Sequence, residues 1–371
     1  MCSKVKKIRI LLAAVLVALL PVLSCERLPE VDPAGVPGDE PEEQPQEEEK
    51  VTVEFRISSS PDSRATGIVP SDESRVNRWA LYLFDRSTGA RVGAVSSVAS
   101  DSPIAKAVSP GTYIACAVVN YPTSGTGSFT LTSVSTQSDL ESKVMYLPNN
   151  GLSSLVMYGY DEITLAAGDN GTKNINVSRL VTKLGIKKVT VNMSRPSDVG
   201  RTFVLKGIYV TNAYSRCKLG EDYASFALSS TRSYWYNAMG WHASGSCSSP
   251  ACPDVLLGDT SINQTIANGS SHSTPHYFYA FPNAAASDSH NSRWSIRRTR
   301  IVIEGSIDGT TYYYQVNLPA TVRNNTYTVE NAVITKLGST DPEQEVTDAL
   351  DVVFSTSADA WDGPVTVPED S

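Results

Sequence analysis

The apolar residues of this chain fall in short stretches where they alternate with polar ones. Val51, Val53, Phe55 and Ile57 alternate with polar neighbours, and this period of two predicts a half-buried β-strand. Residues 79–84 are apolar on both faces, which predicts a strand covered on both sides. The sequence has no long stretch with the apolar spacing of an amphipathic helix, so β-sheets must supply its hydrophobic core.

Turn-forming residues separate these stretches and extend the same reasoning along the chain. Asp308-Gly309 joins two of them, and Asp-Gly is a strong signal for a two-residue hairpin turn. Ser138 and Glu141 have the spacing of a capping box and predict one short helix over 138–145. The other predicted strands are 111–119, 127–133, 183–193, 202–211, 299–307, 310–318 and 325–335. This pattern predicts an all-β fold built of β-sandwiches.

The amino terminus has the pattern of an export signal that ends at a cysteine. Basic residues precede an apolar run of 14 residues, which ends just before Ser24 and Cys25. Because roughly 20 residues are needed to span a bilayer, a removed signal peptide is favoured over a membrane anchor. Val22-Leu23-Ser24-Cys25 looks like a bacterial lipobox, which predicts removal of residues 1–24 and lipid attachment to Cys25. The protein is therefore expected to act outside the cytoplasm.

The segment after Cys25 is not expected to fold. Residues 26–50 contain ten acidic residues, two basic residues and five prolines. Such a composition cannot bury enough apolar surface to offset its ordering entropy, so 25–50 is predicted to be a disordered acidic tether. The rest of the mature chain is mildly acidic and has no basic patch, which gives no electrostatic support to nucleic-acid binding.

The folded part is long enough for two domains. The glycine-rich stretch Ala167–Gly171 gives way to a new series of strands, which predicts an N-terminal sandwich over 51–175. Within it, residues 51–64 are predicted to be the first strand and a loop that a protease cuts, so that the strand can be removed. The C-terminal sandwich is predicted over 176–371. Its last residues, 348–371, are predicted to be donor strands, that is, strands that add to the sheet of another chain.

Four cysteines follow Cys25. Cys116 lies in an apolar run and is expected to be a small buried hydrophobe. Cys247 and Cys252 share one loop, where a local disulfide is one interpretation and free thiols are another. A metal site there would need more ligands at suitable spacing. The pattern does not determine the redox state of Cys217.

The sequence lacks the motifs of the common catalytic sites. It contains no Gly-x-Ser-x-Gly nucleophile elbow and no phosphate-binding glycine-rich loop after a strand. The four histidines, His242, His272, His276 and His290, have surroundings typical of loops. We therefore predict a protein that is not an enzyme and that uses no cofactor or metal.

A cluster of aromatic residues precedes the paired cysteines. It consists of Tyr234, Trp235, Tyr236 and Trp241, followed by His242. Exposed rings of this kind stack on sugars or anchor a partner. The interpretation that we favour is a loop that packs its own aromatic residues as a small satellite core.

The first strand is followed by a polar segment, 58–67, of the kind that proteases cut. Arg64 is its only basic residue, so a protease that recognises basic residues would cut the Arg64–Ala65 bond. The cut would leave strand 51–57 without a covalent link to the rest of the chain. Loss of that strand would open a hydrophobic groove.

The carboxyl terminus carries a similar alternation. An extended peptide of this pattern can add to an exposed sheet edge of another chain through main-chain hydrogen bonds. The alternative is an ordinary terminal strand that completes its own sheet. The candidate donor residues are Leu350, Val352, Phe354, Trp361, Val365 and Val367.

In the order of these motifs the chain resembles the type V pilins, the fimbrillin family of Bacteroidota-type bacteria. The motifs that carry the resemblance are the lipobox at Cys25, residues 51–55, Arg64-Ala65, 72–76 with 79–84, 179–186, 323–327, and 351–354 with Trp361. The resemblance implies two β-sandwich domains of the transthyretin-like, Greek-key type. It implies an outer-membrane lipoprotein that an Arg-specific surface protease cuts after Arg64. It also implies head-to-tail assembly with other fimbrial subunits through the C-terminal strand, in support of adhesion.

Two features depart from the family pattern, namely the long acidic tether and the loop with Cys247 and Cys252. They leave open whether the subunit belongs to the stalk, the tip or the membrane anchor of a fimbrium. A surface lipoprotein that does not polymerise, and that binds glycan through Trp235 and Trp241, is the other alternative.

Overall fold

The computed structural model describes residues 50–59, 73–125, 127–222, 235–236, 254–288, 297–342, 344, 346 and 349–360, with the backbone alone for 59, 254–255 and 351–360. The described residues form one compact unit. Among the described residues, no helix has the length and apolar character needed to cross a membrane.

Strands are the main regular structure of the described chain. In chain order they are β1 (Val51–Ser59), β2 (Trp79–Asp85), β3 (Ser96–Val98), β4 (Ile104–Val108), β5 (Gly111–Val119), β6 (Val144–Tyr146), β7 (Met157–Leu165), β8 (Thr172–Arg179), β9 (Thr182–Ile186), β10 (Val189–Val191), β11 (Phe203–Thr211), β12 (Ala213–Tyr214), β13 (Arg216–Lys218), β14 (Trp235–Tyr236), β15 (Gly258–Asp259), β16 (Gln264–Ile266), β17 (Ser271–His272), β18 (His276–Ala280), β19 (Arg300–Ile307), β20 (Thr310–Asn317), β21 (Asn325–Ile334) and β22 (Leu350–Ala360). The described α-helices are α1 (Gln137–Glu141) and α2 (Asp254–Leu257).

The N-terminal strands form a sheet that folds over itself. Its strand order is β3-β2-β5-β7-β8-β1-β4. Strand β8 changes partner along its length, because residues 172–177 pair with β1 whereas Ser178 and Arg179 pair with β7. Side chains from β1, β4 and β8 share one hydrophobic core with side chains from β2, β5 and β7, which is the arrangement of a β-sandwich.

Strand β2 is covered on both faces, as its sequence predicts. Trp79, Leu81 and Leu83 lie in the core of the N-terminal sandwich. The alternate side chains, among them Tyr82 and Phe84, belong to a second and larger core that continues into residues 180–349. The two halves of the unit are therefore joined by continuous apolar packing.

Two further sheets surround this larger core. One has the order β17-β10-β21-β9-β18 with β22 also on β21, and the other has the order β15-β11-β19-β20 with β16 on β11. Leu184 and Val329 of the first sheet share the core with Leu205 and Ile303 of the second. The predicted all-β class with β-sandwich architecture is confirmed.

The predicted boundary between 175 and 176 falls inside β8. Because β8 pairs with β1 and β7 along its length, strands of the N-terminal sheet continue to Arg179. The division of the folded part into two domains stays a prediction.

Several predicted elements differ in detail from the structure. The predicted strand over 127–133 is instead a turn with a 3-10 segment at Leu131–Ser133, since the chain reverses at Gly127 with a φ of 77°. The predicted strand over 183–193 is divided into β9 and β10. Helix α1 begins earlier than predicted, because Thr136 and Asp139 form its capping box.

The hairpin between β19 and β20 is confirmed. Arg300 to Ile307 pair with Asn317 to Thr310 in continuous antiparallel register. Asp308 and Gly309 have φ angles of 48° and 82°. Positive φ at both central residues is what a type I′ turn requires.

Candidate functional site

The alternation in β1 corresponds to a buried face and a solvent face. Val53 and Phe55 are 0% exposed, and Val51 is 4% exposed. Ile57 is half-buried against the same core, whereas Thr52 and Arg56 are exposed. Strand β1 therefore fills a hydrophobic slot with one side chain in every two, as the sequence predicts.

Strand β1 is an interior strand of its sheet. It pairs with β4 in antiparallel register, Val51 opposite Val108 and Phe55 opposite Ile104. On its other side it pairs in parallel with β8. Removal of β1 would expose the core and leave the facing edges of β4 and β8 without a hydrogen-bonding partner.

A cavity of about 830 Å³ lies where β1 ends. Its lining includes Arg56 and Ile57, residues 74–77 and residues 99–103. The last residues of β1 and the residues that resume the described chain before β2 thus border one open space.

A buried ion pair holds the chain just before β2. Lys183 lies 2.9 Å from the Glu73 carboxylate, and their side chains are 5% and 1% exposed. The Tyr279 hydroxyl donates a hydrogen bond to the same carboxylate, and Arg179 donates to the Glu73 carbonyl oxygen at 3.2 Å. Lys183 and Tyr279 lie on β9 and β18, so Glu73 is attached to the C-terminal half.

Strand β22 lies on β21 of its own chain. Leu350 lies opposite Ile334, and the register places Val352 opposite Ala332 and Phe354 opposite Val329. Leu350 is half-buried against the large core. Along the other side of β21 lie β9 and β10, so β22 is the outer strand at this side.

The remaining predicted site residues lie outside the described residues. They are Cys25, Arg64, Ala65, Cys247, Cys252, Trp361, Val365 and Val367. The structure therefore brings together the residues of β1 and, separately, those at the start of β22. The lipidation, cleavage and disulfide assignments stay predictions.

Trp235 is not a surface platform. It is 4% exposed, and its neighbour Tyr236 is 2% exposed. Trp235 packs on Tyr214 with ring centroids 4.0 Å apart, and both side chains belong to the large core. The proposed contact of Trp235 with a glycan is wrong, because a buried ring offers no face to a sugar. Trp241 lies outside the described residues.

Two histidines lie in strands rather than in the predicted loops. His272 belongs to β17 and His276 to β18, and their Nε2 atoms are 2.8 Å apart. Asp259 lies 3.5 Å from Nδ1 of His276. Burial lowers the pKa of both imidazoles. In the described part of the chain, no three His, Cys, Asp or Glu side chains are grouped to hold a metal ion.

Cys116 and Cys217 are buried free thiols. Burial raises the pKa of each to about 12, so both are protonated at neutral pH. The prediction of a buried strand position for Cys116 is confirmed, since it lies in β5 with 0% exposure. Neither thiol is activated for chemistry.

This β-sandwich fold also occurs in solved structures of other proteins. No family model and no curated protein sequence matches the chain. A candidate cell adhesion protein from Bacteroides eggerthii is 16% identical, with 83% of this chain and 95% of that chain covered and a TM-score of 0.57. A fimbrilin from Porphyromonas gingivalis is 19% identical, with 82% and 96% covered and a TM-score of 0.54.

A second candidate cell adhesion protein, from Parabacteroides distasonis, is 13% identical over 82% of this chain and 97% of that chain, with a TM-score of 0.57. At such identities the likeness shows the fold. The chain has the β-sandwich fold of the fimbrilin structure, and at the level of the fold the resemblance to the type V pilins is confirmed.

Proposed function

We propose that this protein is a structural subunit of a surface fimbrium and that it assembles by strand exchange. A protease cuts the chain after Arg64, β1 leaves its slot, and a terminal strand of a neighbouring subunit takes its place. The partners are other fimbrial subunits and an Arg-specific surface protease. Before cleavage, lipid on Cys25 attaches the precursor to the outer membrane.

The observation that carries the proposal is the position of β1. It is an interior strand with Val53 and Phe55 fully buried, yet it joins β2 only through residues 60–78. Burial of such side chains contributes roughly 1.5–3 kcal/mol each, so the intact chain keeps β1 in place. After a cut, β1 is a separate peptide that a second strand can replace.

The start of β22 matches β1 at the buried positions. Leu350, Val352 and Phe354 have the spacing of Val51, Val53 and Phe55, with Val in place of Val and Phe in place of Phe. A strand that enters the slot in the same direction and register would therefore fill the same core volume. Volume-conserving replacement is what a packed core tolerates best.

A disulfide that holds β1 in its slot tests the exchange. Thr52 and Ala107 lie opposite each other on β1 and β4, and both are exposed. In Thr52→Cys/Ala107→Cys the oxidised protein should be cut after Arg64 but should not polymerise. Reduction should restore heat-stable ladders on a gel, because it releases the cut strand.

Wild-type protein treated with the same reductant is the control, since it also reports any effect on Cys247 and Cys252. Arg64→Ala should give a folded precursor that stays uncut and monomeric. If the oxidised double-cysteine variant polymerised as fast as the reduced form, exchange at the β1 slot would be wrong.

The amino-terminal residue of assembled protein tests the cleavage site and the place in the fibre. A stalk subunit should begin at Ala65 in Edman sequencing. Assembled protein that begins at Cys25 with β1 intact would identify a subunit at the fibre base instead.

Lipid attachment has its own test. Cys25→Ala should abolish labelling by a fatty-acid analogue and leave unprocessed precursor. Label that persisted in this variant would contradict lipidation at Cys25.

A further inference from the structure

Two more arginines follow closely after the predicted cut. Arg75 is exposed and Arg78 is half-buried, and both lie between Glu73 and the start of β2. For a protease that recognises arginine, Arg75 and Arg78 are the next potential sites after Arg64 along the chain. After the cut at Arg64, cleavage after either would also remove Glu73, which forms the buried ion pair with Lys183.

One residue binds the carbonyl groups of both arginines. The Asn120 side-chain amide donates to the Arg75 carbonyl oxygen at 2.8 Å, and the Asn120 backbone N–H donates to the Arg78 carbonyl oxygen at 2.9 Å. The Asn120 side-chain oxygen accepts from the Asn77 N–H at 2.8 Å. Asn120 therefore binds residues 75–78 at three points.

The local fold explains why asparagine occupies this position. Asn120 directly follows β5 and has a φ of 53°, a left-handed conformation that asparagine adopts more readily than most residues. It is 6% exposed, and its amide also donates to the Leu155 carbonyl oxygen at 3.0 Å. Asn120 and its hydrogen bonds to residues 75–78 are called the clamp below. The clamp is thus itself anchored in the sandwich.

A peptide bond whose carbonyl group is already hydrogen-bonded within the fold is a poor substrate for a protease. A protease polarises the carbonyl of the residue before the cut bond with its own donors, and it needs a segment that can detach locally from the fold. At Arg75 and at Arg78 that carbonyl already has a donor within the protein. The Glu73–Lys183 pair fixes the chain just upstream.

We propose that Asn120 determines the specificity of processing by protecting the bonds after Arg75 and Arg78, so that Arg64 alone of these three arginines is cut. This inference rests on the proposed processing of the chain by an Arg-specific protease. It assigns to Asn120 a positioning role for the substrate segment, in which the partner is the protease.

Asn120→Gly separates the two halves of the clamp. Glycine keeps the left-handed backbone and the N–H that binds Arg78, but it lacks the amide that binds Arg75. The mature chain is digested with a purified arginine-specific protease, and new amino termini are quantified by mass spectrometry. We expect cleavage after Arg75 to rise by roughly tenfold or more, with a smaller rise after Arg78.

Asn268→Gly is the matched control, because the Asn268 side chain likewise binds a backbone N–H, that of Met193, at 2.6 Å. Cleavage after Arg86 reports general loosening of the fold and should stay constant in both variants. Cleavage after Arg75 that is equally fast in wild type and in Asn120→Gly would overturn the inference.

The same digest keeps the two proposals distinct. A wild-type chain that is not cut after Arg64 would remove the trigger from the proposed function. The comparison of wild type with Asn120→Gly at Arg75 would still test the clamp.

Discussion

At the scale of single residues, burial decides the chemistry of the cysteines. Cys116 and Cys217 are buried, and burial raises the pKa of both thiols to about 12. We expect maleimide to leave both unmodified in the native protein and to modify both in denaturant, as read by peptide mass spectrometry. Rapid native labelling of either residue would contradict the structure.

The same experiment addresses the remaining pair. If Cys247 and Cys252 form a disulfide, they should take up maleimide in denaturant only after reduction. Labelling of both without reductant would identify free thiols.

The Glu73–Lys183 pair predicts a non-additive response. Glu73→Gln leaves the buried Lys183 without its countercharge, which should lower the free energy of unfolding by roughly 3–5 kcal/mol. Glu73→Gln with Lys183→Met should cost much less than the sum of the two single changes. Denaturant unfolding of all four proteins measures the coupling, and additive losses would show that the pair does not act as a unit.

At the scale of elements, β1 should matter for the precursor and not for the fibre. Phe55→Ala removes a fully buried ring and should destabilise the uncut precursor by roughly 3–5 kcal/mol. The assembled form should keep its wild-type heat stability, because the proposed exchange removes β1 from it. Thr52→Ala, on the exposed face, is the control and should have little effect in either state. Equal destabilisation of precursor and fibre would mean that β1 is retained.

The β19–β20 hairpin gives a test of turn geometry. Gly309 has a φ of 82° and open space within 4 Å of the point where an alanine methyl group would lie, whereas Gly200 has equal space without a positive φ. Gly309→Ala should therefore destabilise by roughly 1–2 kcal/mol through backbone strain alone. Gly200→Ala should be neutral or slightly stabilising, and equal effects in thermal unfolding would exclude the type I′ turn as the cause.

At the scale of the whole molecule, His272 and His276 couple stability to pH. Burial lowers the pKa of both below the ordinary 6.5, although Asp259 acts in the opposite direction. The unfolded chain then binds more protons than the folded one, so the free energy of unfolding should fall as pH decreases from about 7 through the folded pKa values. Urea unfolding of wild type and His272→Gln over this range measures the slope, which should be smaller in the variant.

Local patterns were enough to predict the elements on which the proposed function depends. The alternation from Val51 to Ile57 predicted the buried face of β1, because in a strand every second side chain points to the same side. Asp308-Gly309 predicted the β19–β20 hairpin, since Asp and Gly adopt positive φ more readily than most residues. The all-β class followed from the same short-range signals.

Other features depended on contacts between distant parts of the chain. No local signal indicated that Glu73 would meet Lys183 or that Asn120 would bind the carbonyl groups of Arg75 and Arg78. The aromatic cluster was expected to pack as a small core of its own loop, whereas Trp235 is buried in the large core. The histidines of β17 and β18 were expected in loops, because their polar neighbours give no apolar alternation. These strands are formed by pairing with partners that lie elsewhere in the sequence.

The amino-acid sequence by itself therefore determined the strands, the all-β class and the two matching apolar patterns at the ends of the folded part, because these rest on periodicity and on the conformations that individual residues allow. The tertiary structure alone decided that β1 is an interior strand and which groups hold the chain between β1 and β2. Such facts depend on pairing and burial between residues far apart in sequence, and these are set only when the whole core packs.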